Sequence, residues 1–121
     1  MENLIQRATK ACSVLKIDPD DLISIRSMYE TFRGSMSITG TILEYYNWEG
    51  HHTYALYTID GRAKEWVTPK SNNLSAIESM VSMGLKQSHI AQILGISQST
   101  VSLRMREIRG LRNLRRNTHE L

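Results

Sequence analysis

Between Gly84 and Gly110 the chain reads GLKQSHIAQILGISQSTVSLRMREIRG, and the side chains in it suit recognition better than reaction. Gln98, Ser99, Ser102 and Leu103 offer an amide, two hydroxyls and a short aliphatic group, and no carboxylate stands among them before Glu107. Arg104, Arg106 and Arg109 follow at close spacing. Amides and guanidiniums make paired hydrogen bonds to flat polar edges, and clustered guanidiniums neutralise a polyanion. The chemistry of catalysis is not legible here or elsewhere: no nucleophile stands beside a base at a known spacing, and no glycine loop is shaped for phosphate. The sequence therefore reads as a non-enzyme without a cofactor. His51-His52 are neighbours in an extended segment and point to opposite sides, with no Cys or carboxylate at ligand spacing, so no metal is expected. Asp18, Asp20 and Asp21 read as a helix cap rather than a carboxylate site.

The order of residue types also explains how such side chains would be held. In a helix beginning near Gln87, Ile90, Ala91 and Leu94 share one face. Ala91 is small where two helices must approach closely, and Gly95 can adopt the positive φ that reverses the chain. Ile96 would plug the corner and Ser97 would cap the next helix. Val101, Met105 and Ile108 would then face back onto the first. This is the pattern of a helix-turn-helix unit. On Ala91, Gly95, Ile96 and Val101, within the wording LGISQSTVS, residues 84–110 resemble the helix-turn-helix family of bacterial and phage DNA-binding proteins. The resemblance runs from Gln87 to about Arg106, with the supporting helix before it. Lys86 and Arg104 stand where that family more often has a capping hydroxyl and an apolar residue.

The resemblance implies a partner, double-stranded DNA, and a groove-reading helix over residues 98–109. Ser97, Gln98, Ser99, Ser102, Leu103 and Arg106 would face base edges: Gln98 suits adenine, Arg106 guanine and Leu103 a thymine methyl. Lys86, Gln87, Ser88, Thr100, Arg104 and Arg109 would hold backbone phosphates, the first three at a helix N-terminus, where free N–H groups favour anions. His89 is expected to be exposed near that backbone. The competing reading is a plain helical hairpin with a solvated arginine face, to which Arg112, Arg115 and Arg116 would belong.

Charge is distributed to match. Residues 1–70 carry eight Lys/Arg against nine Asp/Glu, whereas residues 71–121 carry seven against three. A chain of 121 residues is one domain or two very small units. The division expected is a helical and β-meander region over 1–70, for dimerisation or partner binding, and a helix-turn-helix region with a basic tail over 71–121. Cys12, the lone cysteine, reads as a buried small residue in a reducing compartment.

The expected fold is α+β: two N-terminal helices, a three-stranded antiparallel meander and a C-terminal three-helix unit. Leu4, Ile5, Ala8, Ala11, Cys12 and Leu15 have helical spacing. Asp18-Pro19 reads as the start of a second helix carrying Leu22, Ile23, Ile25, Met28, Tyr29 and Phe32 and ending near Gly34. The meander, residues 36–68, is rich in Thr, Ile and Tyr. Asp60-Gly61 predicts a two-residue hairpin setting Ala55 opposite Trp66. Pro69 ends the last strand. Ser75 with Glu78 fits a capping box, with Asn72 or Asn73 as other caps, and Gly84 would stop that helix. The last ten residues would fray.

All eight aromatics lie between Tyr29 and Trp66, which suggests a core or a protein-partner surface; stacking on single-stranded bases is a weaker reading, because few basic residues are interleaved. No secretory leader or membrane span is legible. The expectation is a small homodimeric transcriptional regulator, cytoplasmic and nucleoid-associated. The alternative is a DNA-processing accessory factor for packaging, replication or recombination.

Overall fold

In the computed structural model the described residues are 2–68 and 73–119, with side chains as far as Leu114. The chain divides into two compact units, Met1–Ser71 and Asn72–Leu121. Among the described residues no helix is long and apolar enough to cross a membrane.

Helix α1 (Leu4–Leu15) starts with a reciprocal cap: Gln6 N donates to Asn3 Oδ1 and Asn3 N to Gln6 Oε1, each at 2.9 Å. It ends at Lys16, whose left-handed backbone (φ 57°) lets Ile17 N reach back to Cys12 O at 2.9 Å. Its inner face buries Ala8, Ala11 and Cys12.

The expected second helix is absent. Asp18 does cap a turn, accepting from Asp20 N at 3.0 Å, but this is one 3-10 turn over Pro19–Asp21. The chain then runs straight on as strand β1 (Leu22–Phe32). The meander therefore has four strands rather than three: β1, β2 (Ser35–Tyr46), β3 (His52–Thr58) and β4 (Ala63–Val67), antiparallel and in sequence order. The spacing of Leu22, Ile25, Met28, Tyr29 and Phe32 fits a helix face, but LISIRSMYETF is also dense in β-branched and aromatic residues. The tie is broken by the next two residues. Arg33 (φ 50°) and Gly34 (φ 80°) both take positive φ between the paired Phe32 and Ser35, the geometry of a tight hairpin turn. Gly34 closes a hairpin instead of stopping a helix.

The second hairpin also departs from expectation. Gly61 N donates to Thr58 O at 3.0 Å and Thr58 N to Arg62 O at 2.8 Å, so the loop holds Ile59, Asp60 and Gly61 rather than two residues. Trp66 consequently pairs with Tyr54, and Ala55 with Glu65. The Thr58 hydroxyl favours this longer turn, accepting from Arg62 N at 3.0 Å and bonding Asp60. A one-residue change of register moves every side chain to the other face. Trp66 thus joins Met28, Ile42, Tyr54 and Leu56 on one face, all buried. The other face carries the row Ile25, Leu43 and Ala55, with Tyr45, and packs on Ala11, Cys12 and Ile17.

The second unit has three helices: α2 (Leu74–Ser82), α3 (Gln87–Leu94) and α4 (Gln98–His119). Its core is Ala76, Ile77, Met80, Ile90, Ile93, Leu94, Val101 and Ile108. The Ser75–Glu78 capping box does not form; the N-cap position is Asn73, without a side-chain cap bond. Pro69 and Asn72 lie outside the described residues. Gly84 (φ 82°) closes α2 as expected, with Leu85 N donating to Met80 O at 3.1 Å. The frayed tail is corrected as well, since α4 continues through Gly110 to His119.

Candidate nucleic-acid interface

The corner between α3 and α4 is built from the residues that the sequence singles out. Ala91 is 8% exposed, and its carbonyl accepts from both Gly95 N and, at 3.1 Å, Ile96 N. That closure needs the left-handed conformation, and Gly95 supplies it at φ 68°. Ile90, Leu94 and Val101 are buried beneath, joined by Ile93, which the sequence reading did not place.

Ser97 begins α4 by accepting from Thr100 N at 3.1 Å, and its hydroxyl also lies 2.7 Å from Thr100 Oγ1 and 3.0 Å from Ser99 Oγ. Three of the candidate polar groups are thereby held together at the helix tip, with the Ser97 hydroxyl engaged as a cap. At 100° per residue, Ser99, Ser102, Leu103 and Arg106 share the face turned away from Val101 and Ile108, and Gln98 flanks it. Gln98, Ser99, Leu103 and Arg106 are exposed and Ser102 is half-buried. Leu103 leaves half its surface in solvent, as single apolar side chains often do.

The basic residues divide into engaged and unengaged. Arg104 Nη1 lies 2.9 Å from Glu107 Oε1 and Arg112 Nη2 lies 2.8 Å from Glu78 Oε1, the second pair tying α4 to α2. Among the described residues Arg106 and Arg109 meet no carboxylate, and both are exposed. Lys86 is exposed at the N-cap of α3, while Gln87 and Ser88, in its first turn, are half-buried. The first N–H groups of α3 find no acceptor within the helix, and no side chain caps them. His89 differs from expectation: it is half-buried, with Nε2 enclosed and without a hydrogen-bond partner among the described residues. The side chains of Arg115 and Arg116 lie outside the described residues.

Two features of the first unit were not legible in the sequence. One is a polar network: His52 Nε2 lies 2.7 Å from Glu44 Oε2, His52 Nδ1 lies 3.0 Å from Thr68 Oγ1, and Ser24 Oγ donates to Glu44 Oε1 at 2.9 Å. Burial tends to raise the Glu44 pKa, but hydrogen bonds from His52 and Ser24, with the charges of His52 and Arg26, outweigh it and hold the carboxyl below its ordinary value. The order hydroxyl–imidazole–carboxylate resembles a nucleophilic relay. Thr68, however, is 5% exposed and its hydroxyl donates to His52 O at 3.1 Å, so the arrangement fastens strands together rather than presenting a nucleophile. The sequence contains the signal only as Glu44 and His52 at positions that β2–β3 pairing makes diagonal neighbours. The other feature is a cleft beside Arg7, at the N-terminal end of α1.

Elsewhere, Cys12 is buried, and burial pushes its thiol pKa up, away from reactivity. Among the described residues no three His, Cys, Asp or Glu side chains are grouped to hold a metal ion. The chain matches no family model, no curated protein and no solved structure.

Proposed function

We propose that the protein is a sequence-specific double-stranded DNA-binding protein, a small homodimeric transcriptional regulator acting at the nucleoid in the cytoplasm. The observation that carries this reading is the outward face of α4. It presents an amide, hydroxyls, an exposed leucine and, in Arg106, a guanidinium that meets no carboxylate among the described residues, from a tip fixed by the Gly95 corner. Glu107, at its flank, is held by Arg104. A helix face made only for solubility mixes Glu with Lys and Arg, whereas a major-groove face needs neutral donors and acceptors between cationic flanks. In this reading Gln98, Ser99, Ser102, Leu103 and Arg106 read bases. Lys86, Gln87, Ser88, Thr100 and Arg109 contact phosphates. Arg104 does so only by leaving Glu107, and Ser97 acts mainly by fixing the helix start.

The test is selection of bound sequences from random duplexes by the full chain. The expected result is one enriched motif with two-fold related half-sites about 10 bp apart, as for paired helix-turn-helix units. A pool that stays unenriched through successive rounds overturns the reading.

A further inference from the structure

The first unit holds a cleft of about 520 Å³ between the N-terminal part of α1 and one face of the sheet. Its size lies within the ~300–1,000 Å³ of small-molecule sites. Its walls are apolar on one side, with Met36, Ile38, Tyr57 and Ile59, and charged on the other, where Arg7 lies beside Thr41 and the paired Glu2 and Lys10 complete the lining with no net charge of their own.

Three separate observations converge on it. First, Arg7 is half-buried and rigidly held: Nε donates to Thr41 Oγ1 at 3.2 Å, Nη2 to Ser27 Oγ at 2.7 Å and Nη1 to Glu2 O at 3.0 Å. Every one of these acceptors is neutral, and among the described residues no carboxylate pairs with it. A guanidinium has five N–H donors, so the three bonds leave two for a ligand. A half-buried cation without a counter-ion is costly unless an anion completes it. The neighbouring Lys10 is already matched by Glu2, so the uncompensated charge is that of Arg7.

Second, the apolar wall is exposed where exposure is unfavourable: Met36 is 67% and Ile59 63% accessible. Third, the strand is deformed to build that wall. The β1–β2 register shifts between Met28↔Gly40 and Tyr29↔Ile38, which leaves Thr39 as an extra residue. In a regular strand Met36 and Ile38, an odd number of places from Thr41, would face the opposite side of the sheet. The bulge restores them to the side of Thr41, so that all three line one cleft. Ile59 is drawn to the same place, its N–H donating to Thr39 O at 3.2 Å.

We infer that this cleft binds a single free amphipathic monocarboxylate: the carboxylate on the open donors of Arg7, the aliphatic chain against Ile38, Met36, Ile59 and the Tyr57 ring. The site is independent of the DNA-binding reading, and its test needs no DNA.

Octanoate, below its micelle concentration, is titrated into the full chain and followed by calorimetry and by amide NMR shifts. Saturable 1:1 binding is expected, with the largest shifts at Arg7, Thr41, Tyr57 and Ile59. Octanol and octylammonium, which keep the chain and remove or reverse the charge, are expected to bind at least tenfold more weakly. Arg7→Met should weaken octanoate binding about 10- to 100-fold, the loss of a charged hydrogen bond, and Arg7→Lys should restore part of it. If Arg7→Met does not fold, Met36→Glu and Ile59→Glu, at exposed positions, should each weaken binding about tenfold. Equal affinity for the three amphiphiles, shifts located elsewhere, or unchanged binding by both glutamate variants overturns the proposal. Co-sedimentation with phosphatidylglycerol vesicles without a 1:1 octanoate complex also overturns it, assigning the face to a membrane surface.

Discussion

A guanidinium contributes to recognition according to what else holds it, and the arginines of α4 differ in this respect. Arg106 and Arg109 are exposed and meet no carboxylate among the described residues, whereas Arg104 is shared with Glu107. Arg106→Ala or Gln98→Ala should cost roughly 1–3 kcal/mol on the selected site and little on scrambled duplex, whereas Arg109→Ala should weaken both alike and lower the salt slope by about 1. Binding isotherms on the two duplexes at several salt concentrations separate these outcomes, and equal loss on both from Arg106→Ala would remove its base-reading role. Glu107→Gln should strengthen binding to both duplexes by freeing Arg104, with stability nearly unchanged because an exposed pair on one helix contributes only about 0.3–0.5 kcal/mol.

Glu44 allows a prediction of another kind. Its folded pKa lies below that of an unfolded glutamate, near 4.3. Stability from this group is therefore fully present above the unfolded pKa and is lost as pH falls through the folded one. Urea unfolding from pH 7 to pH 3 should show the decline, and His52→Gln should make its acid side shallower. A carboxyl NMR titration should find the Glu44 pKa higher in that variant; an unmoved value would mean that the network does not set it.

Elements were legible where local chemistry and tertiary context agree. Residues 84–110 are self-specifying: Ala91, Gly95 and Val101 each have one steric purpose, and the short-range contacts of α3 with α4 satisfy all three. Residues 18–34 are not, because a helix face and a pleated strand both accommodate Leu22, Ile25, Met28 and Phe32. Only partnership with β2 decides between them, and that pairing is non-local information. The decisive local signal was Arg33-Gly34, two residues in positive φ, which a helix-ending glycine imitates.

The cleft escaped the sequence for a related reason. Nothing in SMSITGTIL announces that Thr39 is surplus to the ladder, so neither Ile38 nor its companions could be assigned to the side of Arg7. Gly40, at the bulge, tests how tightly this is built. A Cβ there would lie 2.9 Å from Leu56 Cδ1 and 3.0 Å from Tyr57 O, and the carbonyl belongs to the paired strand. Gly40→Ala should therefore destabilise by about 1–3 kcal/mol, as other overpacked sites do. Ala91→Leu should cost a similar amount by forcing α3 and α4 apart. Chemical denaturation checks both; an unchanged midpoint for either means that the neighbouring segment yields freely.

If the protein reads DNA as proposed, the question for the whole molecule is how a single reading head gains specificity. The first turns of one α4 span only a few base pairs, so a regulator needs two copies held in fixed register. The charge asymmetry suits this division, with the surplus of cations in residues 71–121 and near-neutrality in residues 1–70. The sheet adds a means of pairing, since its order leaves the eleven-residue β1 at an edge, with Ile23 and Phe32 46% and 69% exposed. Long edge strands pair with another chain unless bulges or charges blunt them; β1 has a register break at Ile23 and carries Arg26 and Glu30, so pairing through it is a point for measurement. On the two-copy reading the full chain is expected to sediment as a dimer at tens of micromolar. Its binding to the selected site should fall with salt at a slope of about −0.9 per neutralised phosphate, summed over both copies. Sedimentation velocity and a salt series on one duplex give the two quantities independently. A dimer whose slope matches one copy engages a single half-site, and symmetric reading then fails. A monomer in solution with the doubled slope would place pairing on the DNA instead of on β1.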